Sequence, residues 1–336
     1  MNILIPHIEV DGANALTSWW AMGAPSPMAI FGATHAMARR LGVEVESFSM
    51  VIEDFRFRAS RWSRRHAWTP QQFRGATYID GHDNARDSFS NALQPTATCD
   101  ARLSLVLHLV GSPEVEIHAL ENFLRAGRIA GGQIRSFGKI ETLSSREDAE
   151  KSLSGFCLVD RADWMATKKK QGGNSLDALA DLLQTKRIVG GEQKKGEEML
   201  LDSQSMRDPE AMEKAVRLMG KGGWIKKAYP WMTATCCGYK AAYAPKKNVP
   251  GSREDLPHAY GEPLVGLAQW IPVSAARRLG EIPAWKYRQE GERFWVEGIH
   301  SKEIASKDWP KEWKGRLEKA AEDGNQEEEE DLILWM

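Results

Sequence analysis

Residues 102–110 read Arg-Leu-Ser-Leu-Val-Leu-His-Leu-Val, with leucine at 103, 105, 107 and 109. Successive side chains of a strand point to opposite faces, so this spacing predicts a half-buried β-strand. Working outward, Ser112-Pro113 supplies a cap hydroxyl and a proline at a first helical position. Leu120, Phe123 and Leu124 then share a helical face that stops at Gly127, and 133–141 (QIRSFGKIE) returns to a strand pattern. On the other side, 43–58 reads as a strand or strand pair. Before it, Ser26-Pro27 opens a helix whose face carries Ile30, Phe31, Thr34, Met37, Ala38 and Leu41 and which Gly42 ends. Met1–Val10, alternating and β-branched, starts the series as a strand.

The order strand, helix, strand, strand, helix, strand is the ferredoxin-like arrangement, and the same two-layer sheet underlies the RNA-recognition module. The expected fold class is therefore α+β: a ferredoxin-like (RRM-like) palm over 1–145 that carries a basic insertion at 59–101. A second, mixed α/β half is expected over 146–305, and a C-terminal helix with an acidic tail over 306–336. In the second half, Gly155–Asp160 reads as a buried strand, 175–186 and 209–219 as helices, and Trp224–Ala244 as a hairpin or strand pair. Further along come a short helix at 272–280, a strand at 293–299 and a helix at 310–322. The polar stretches 167–174 and 190–205 read as surface loops.

The chain has 336 residues, 42% hydrophobic and 27% charged, which allows one large core or two modest ones. Its net charge of −1 hides an asymmetry: 322–331 (EDGNQEEEED) holds seven acids and no base, so without that run the remainder carries +6. No apolar run approaches the ~20 residues that span a bilayer, and Met1–Val10 lacks a basic leader, so a cytoplasmic location without membrane contact is expected. Cys99, Cys157 and the vicinal Cys236 and Cys237 form neither a CxxC pair nor a disulfide framework, which argues against structural zinc. HExxH, GxSxG and acidic pairs at metal spacing are absent from the sequence. No metal, cofactor or catalytic group is expected.

The basic stretch 56–66 (RFRASRWSRRH) has five arginines and no acid. Arg56, Arg58, Arg61, Arg64 and Arg65 offer forked phosphate contacts. Trp62, His66 and the following Trp68 offer rings on which unpaired bases stack at ~1–3 kcal/mol each. A solvated basic loop, or pairing with the acidic tail, would use the same residues. Trp19 and Trp20 precede a loop of small residues and would either stack on bases or pack in the core. Arg39 and Arg40 close the first helix. Arg128, Gly131, Gly132 and Arg135 flank a glycine turn that lacks the lysine and hydroxyl of a P-loop, so it suits a passing RNA backbone better than a nucleotide. His35 on the first helix could serve as a base toward a ribose 2′-hydroxyl. No motif brings it a second titrating group, and packing or phosphate contact fits it as well. The closing Leu332-Ile333-Leu334-Trp335-Met336 would dock on the chain itself or on a partner.

The stretch 13–42 (ANALTSWWAMGAPSPMAIFGATHAMARRLG) resembles the opening of a known family. This is the RAMP-type subunit that caps the 5′ handle of the guide RNA (crRNA) in type I-F CRISPR Cascade, the Csy complex. Later segments resemble it in the same order: RIAGGQI (128–134), GFCLVDR (155–161), Gly238-Tyr239 and PLVGLAQW (263–270). The resemblance implies a ferredoxin-like palm with insertions and no nuclease activity. It implies that this palm grips the 5′ handle and joins the large subunit to the first backbone subunit. In some variants such a subunit also contacts target DNA near the flanking duplex motif. A metal-independent guide-RNA endonuclease of the same superfamily, with His35 as base, is the alternative. A scaffold that contacts only protein, its arginines serving subunit interfaces, is the third reading.

Overall fold

The computed structural model describes residues 1–18, 21–60, 69–70, 75–76, 93–94, 97–170, 174–183, 187–190, 198–201, 209–219, 224–227, 232–247, 257–278 and 281–300. In chain order the main elements are β1 (Asn2–Asn14), α1 (Pro27–Leu41), β2 (Val45–Phe57), β3 (Thr98–Leu109), α2 (Ile117–Ala126), β4 (Gly132–Ser136), α3 (Arg146–Lys151) and β5 (Phe156–Asp160). There follow α4 (Ala162–Lys170), α5 (Ser175–Leu183), α6 (Pro209–Met219), β6 (Met232–Ala241), β7 (Gly261–Pro272), α7 (Val273–Arg278), β8 (Ala284–Glu290) and β9 (Arg293–Ile299). The described residues thus form a mixed α+β chain with a large sheet and seven helices.

The chain divides into two compact units. Among the described residues the first is drawn from Met1–Asp160, Ala234–Gly266 and Ile271–Ser301, and the second from Arg161–Thr233 and Leu267–Trp270. In the first, the strands lie in the order β4, β1, β3, β2, all antiparallel. Register follows the apolar pattern: Ile3 and Ile5 face Leu107 and Leu105, while Phe48, Met50 and Ile52 face Leu107, Leu105 and Leu103. Each such large side chain, fully buried, contributes roughly 1.5–3 kcal/mol. Past β2 the sheet continues through β5, β7, β6, β9 and β8, and β8 also pairs with β2.

Local signals set α1. Ser26 accepts a hydrogen bond from the Ala29 N–H at 3.3 Å, Pro27 opens the helix, and Gly42 at φ +65° closes it. Ile30, Ala33, Thr34, Met37 and Ala38 are buried, whereas Phe31 and Leu41 are half-buried. Two expectations for this first unit need revision. Ser112-Pro113 caps nothing: α2 starts at Ile117, and its cap position Glu116 makes no side-chain cap bond. The start falls where the buried face of Leu120 and Leu124 begins. And β3 is not half-buried, because Leu103 through Leu109 are all buried, Ser104 and His108 included. Those polar groups tolerate burial because they are bonded. His108 Nδ1 donates to the Asn2 side-chain Oδ1 at 2.8 Å and its Nε2 accepts from the Ser49 hydroxyl at 3.0 Å, while Ser104 Oγ accepts the His7 N–H at 3.0 Å.

In the second unit, Arg187–Gly190 is the middle of a three-stranded antiparallel sheet between Glu198–Leu201 and Trp224–Lys227, and α6 packs on it. Trp224–Ala244 is therefore not a hairpin, since Trp224–Lys227 pairs with Arg187–Gly190 instead of β6. The stretch 167–174, read as a loop, is helical as far as Lys170, where Lys168 reaches Asp181 of α5 at 2.6 Å. Arg161 is fully buried, its guanidinium bonded to Gln269 Oε1 at 2.8–2.9 Å and lying 4.8 Å from the Trp164 ring.

Candidate nucleic-acid interface

The basic insertion leaves the sheet between β2 and β3. Phe57 pairs with Cys99, and the Arg58 N–H donates to the Thr98 carbonyl at 2.9 Å. Beyond that root, Ala59–Ser60 pairs with Thr69–Pro70 and Gly75–Ala76 with Leu93–Gln94. Trp19, Trp20, Arg61, Trp62, Arg64, Arg65, His66 and Trp68 lie outside the described residues.

At the root the cations are not free. Arg58 bonds Asp100 at 2.7 Å and also pairs with Asp11. Arg135 of β4 reaches the same Asp11 through its Nε at 2.8 Å. The Gly12 N–H donates to Asp100 at 3.0 Å. Gly12 takes φ +66°, and a Cβ there would stand 3.4 Å from the Arg58 guanidinium. Two carboxylates thus neutralise two guanidiniums. Beside them Arg102 meets the nearly buried Glu53 at 3.1 Å, and His7, at φ +52° in a bulge of β1, meets the same carboxylate at 2.8 Å. Arg56 is 81% exposed and only 3.5 Å from Asp54, a weak surface pair.

The glycine turn is a tight hairpin. Ala130 and Gly131 have φ +50° and +79° between the pairs Arg128–Gln133 and Ile129–Gly132, as a primed two-residue turn requires. Gly132 is buried: a Cβ on it would lie 2.6 Å from the Ala13 nitrogen. Gly132 therefore serves close approach of β4 to β1, while Arg128 stays exposed at the turn's base. Arg39 and Arg40, exposed in the last turn of α1, have no ion pair among the described residues, and neither has Arg128.

A second feature escaped the sequence. Phe31 stacks on Tyr287 with centroids 4.8 Å apart and 9° between planes. The stack runs on to His35 at 5.7 Å and to Phe294 at 6.3 Å. These rings line a cleft of about 820 Å³ with Arg39, Phe48, Trp285 and Lys286. Phe31 and His35, one helical turn apart, were the only visible half of this ladder.

A family of CRISPR-associated proteins, Csy2, matches residues 3–295. The chain belongs to the Csy2 family. Among its relatives is the CRISPR-associated protein Csy2 of Pseudomonas aeruginosa (strain UCBPP-PA14), 22% identical over 331 residues, covering 87% of this chain and 92% of that protein. This is a subunit of the type I-F Csy complex of CRISPR antiviral defence. As a Csy2 chain it brings together some of the expected residues, Arg58 with Arg135, but ties both to acids. Cys99, Cys157 and Cys236 are buried and Cys237 is half-buried: burial pushes the Cys99 and Cys237 thiols up to about 12, and raises Cys157 and Cys236 as well. Among the described residues no three His, Cys, Asp or Glu converge as a metal site, and no helix is long and apolar enough to cross a membrane.

Proposed function

We propose that this Csy2 chain is the non-catalytic crRNA-binding subunit of type I-F Cascade, gripping the 5′ handle and joining the large subunit to the backbone subunits. The strand order β4, β1, β3, β2 with two helices between the strands supports reading the first unit as a ferredoxin-like palm. The observation that carries the binding role is the exposure of Arg39, Arg40 and Arg128 without carboxylate partners among the described residues. Arg58 and Arg135, in contrast, are structural: they fasten β2 and β4 to β1 through Asp11 and hold the root of the insertion. Unneutralised guanidiniums are free to release counterions from a phosphate chain.

Fluorescence anisotropy with repeat-derived RNA, repeated across salt concentrations, tests this. Replacing Arg39, Arg40 and Arg128 by alanine lowers the slope of log affinity on log salt by about 2, at roughly 0.7 per phosphate contact on single strands. An unchanged slope refutes the assignment and favours the scaffold that contacts only protein.

A further inference from the structure

The strand β2 has one neighbour along one edge and two along the other. On the first edge β3 runs beside it from Val45 to Phe57. On the second, Val51 and Ile52 pair with Cys157 and Phe156 of β5, while Ser49 and Phe48 pair with Ala284 and Trp285 of β8. Beyond Phe48 and Trp285 the two strands part. Val45–Ser47 keeps only β3, and Lys286–Glu290 keeps only β9 among the described residues. Two strand edges therefore face one another across an opening without pairing.

That opening is the aromatic cleft. Its floor is apolar, made by Phe31, Phe48 and Tyr287. Trp285, 1% exposed, sits where the strands part, and its indole N–H has no hydrogen-bond partner among the described residues. Charges of both signs rim it: Lys286, and against it Glu44 and Glu46.

We propose that this cleft seats an extended segment of another protein subunit, added as a strand along the free edge of Lys286–Arg288. A strand edge offers backbone donors and acceptors at the spacing of a further strand, and alternate side chains of the incoming segment then fall into side-chain pockets. Large apolar residues at alternate positions fit the ring-lined floor. Flanking residues of both signs complement the rim. A nucleic-acid strand fits less well, because its phosphates would meet Glu44 and Glu46. The inference rests on the reading of the chain as a complex subunit only in taking the occupant from that complex.

Amide hydrogen exchange on the full chain tests it, measured alone, with repeat-derived RNA, and in the complex co-expressed with its neighbouring subunits. Protection of Lys286–Arg288 appearing only in the protein complex is the expected result. The double variant K286E/Y287A, checked for an unchanged melting profile, then retains its protein partners at least about tenfold more weakly. Protection by RNA alone makes the cleft a nucleic-acid site and overturns the proposal. Protection that grows with concentration of the isolated chain makes it a self-contact and does the same. An assembled, RNA-containing complex without protection there overturns the docking and leaves the crRNA role standing, whereas loss of RNA binding with protection retained overturns only the crRNA role.

Discussion

His108 ties acid sensitivity to one buried ring. It is 8% exposed, held between Asn2 and Ser49, and its pKa is lowered from 6.5 to about 3 by burial, with Arg146 and the N-terminal ammonium adding to the effect. The folded chain keeps the ring neutral, whereas the unfolded chain protonates it near pH 6.5, so the unfolded state binds more protons between those values. Its contribution is whole above pH 6.5 and drains away as pH falls toward 3, at up to about 1.4 kcal/mol per pH unit. From pH 7 to pH 5 the loss is about 2 kcal/mol, equivalent to roughly 4–8 °C in Tm for a unit of this size. Thermal melts of the parent and of His108→Gln, which keeps a donor and an acceptor but cannot titrate, isolate the effect from the carboxylates. The parent should lose about 2 kcal/mol more than the variant between pH 7 and pH 5. Parallel pH dependences would refute the argument that this ring stays neutral in the fold.

Gly132→Ala, whose new Cβ would meet the Ala13 backbone at 2.6 Å, should destabilise by about 1–3 kcal/mol in urea titration. Gly131→Ala, with open space but φ +79°, should cost about 1 kcal/mol. Replacing Arg61, Arg64 and Arg65 with alanine should weaken guide-RNA retention most at low salt and make what remains less sensitive to added salt, as read by co-purified RNA. Incubated with repeat RNA and EDTA, the chain and its His35→Ala variant should both leave the RNA intact on a denaturing gel. Specific cleavage that disappears in the variant would establish the endonuclease instead.

Local chemistry was legible where one segment decides its own shape. Ser26-Pro27 and Gly42 bracket α1 because cap and stop act within a turn. The leucines at 103–109 reveal a strand because alternation is local too. Ser112-Pro113 misleads because the start of α2 is set by which residues the sheet buries, a tertiary matter. The covered second face of β3 was hidden for a similar reason, since Asn2, Ser49 and Glu53 come from strands far along the chain. At the candidate interface the sequence displays its cations but not their partners. Register brings Asp11 and Asp100 to Arg58, and Asp11 to Arg135, so isolated charge clusters overstate the number of free guanidiniums. The ring ladder was half visible for the same reason, with Tyr287 and Phe294 supplied by a hairpin made much later.

The shared edge of β2 also bears on how the protein is made. Phe48 and Ser49 leave the ribosome early, yet Trp285 and Ala284, which cover them, arrive near the close of synthesis. At ~5–20 residues per second the nascent chain waits roughly 10–50 s with that apolar edge uncovered. A chaperone that shields an extended strand, or slow passage through the middle of the message, would govern the yield of native molecules more than any single contact in the finished fold.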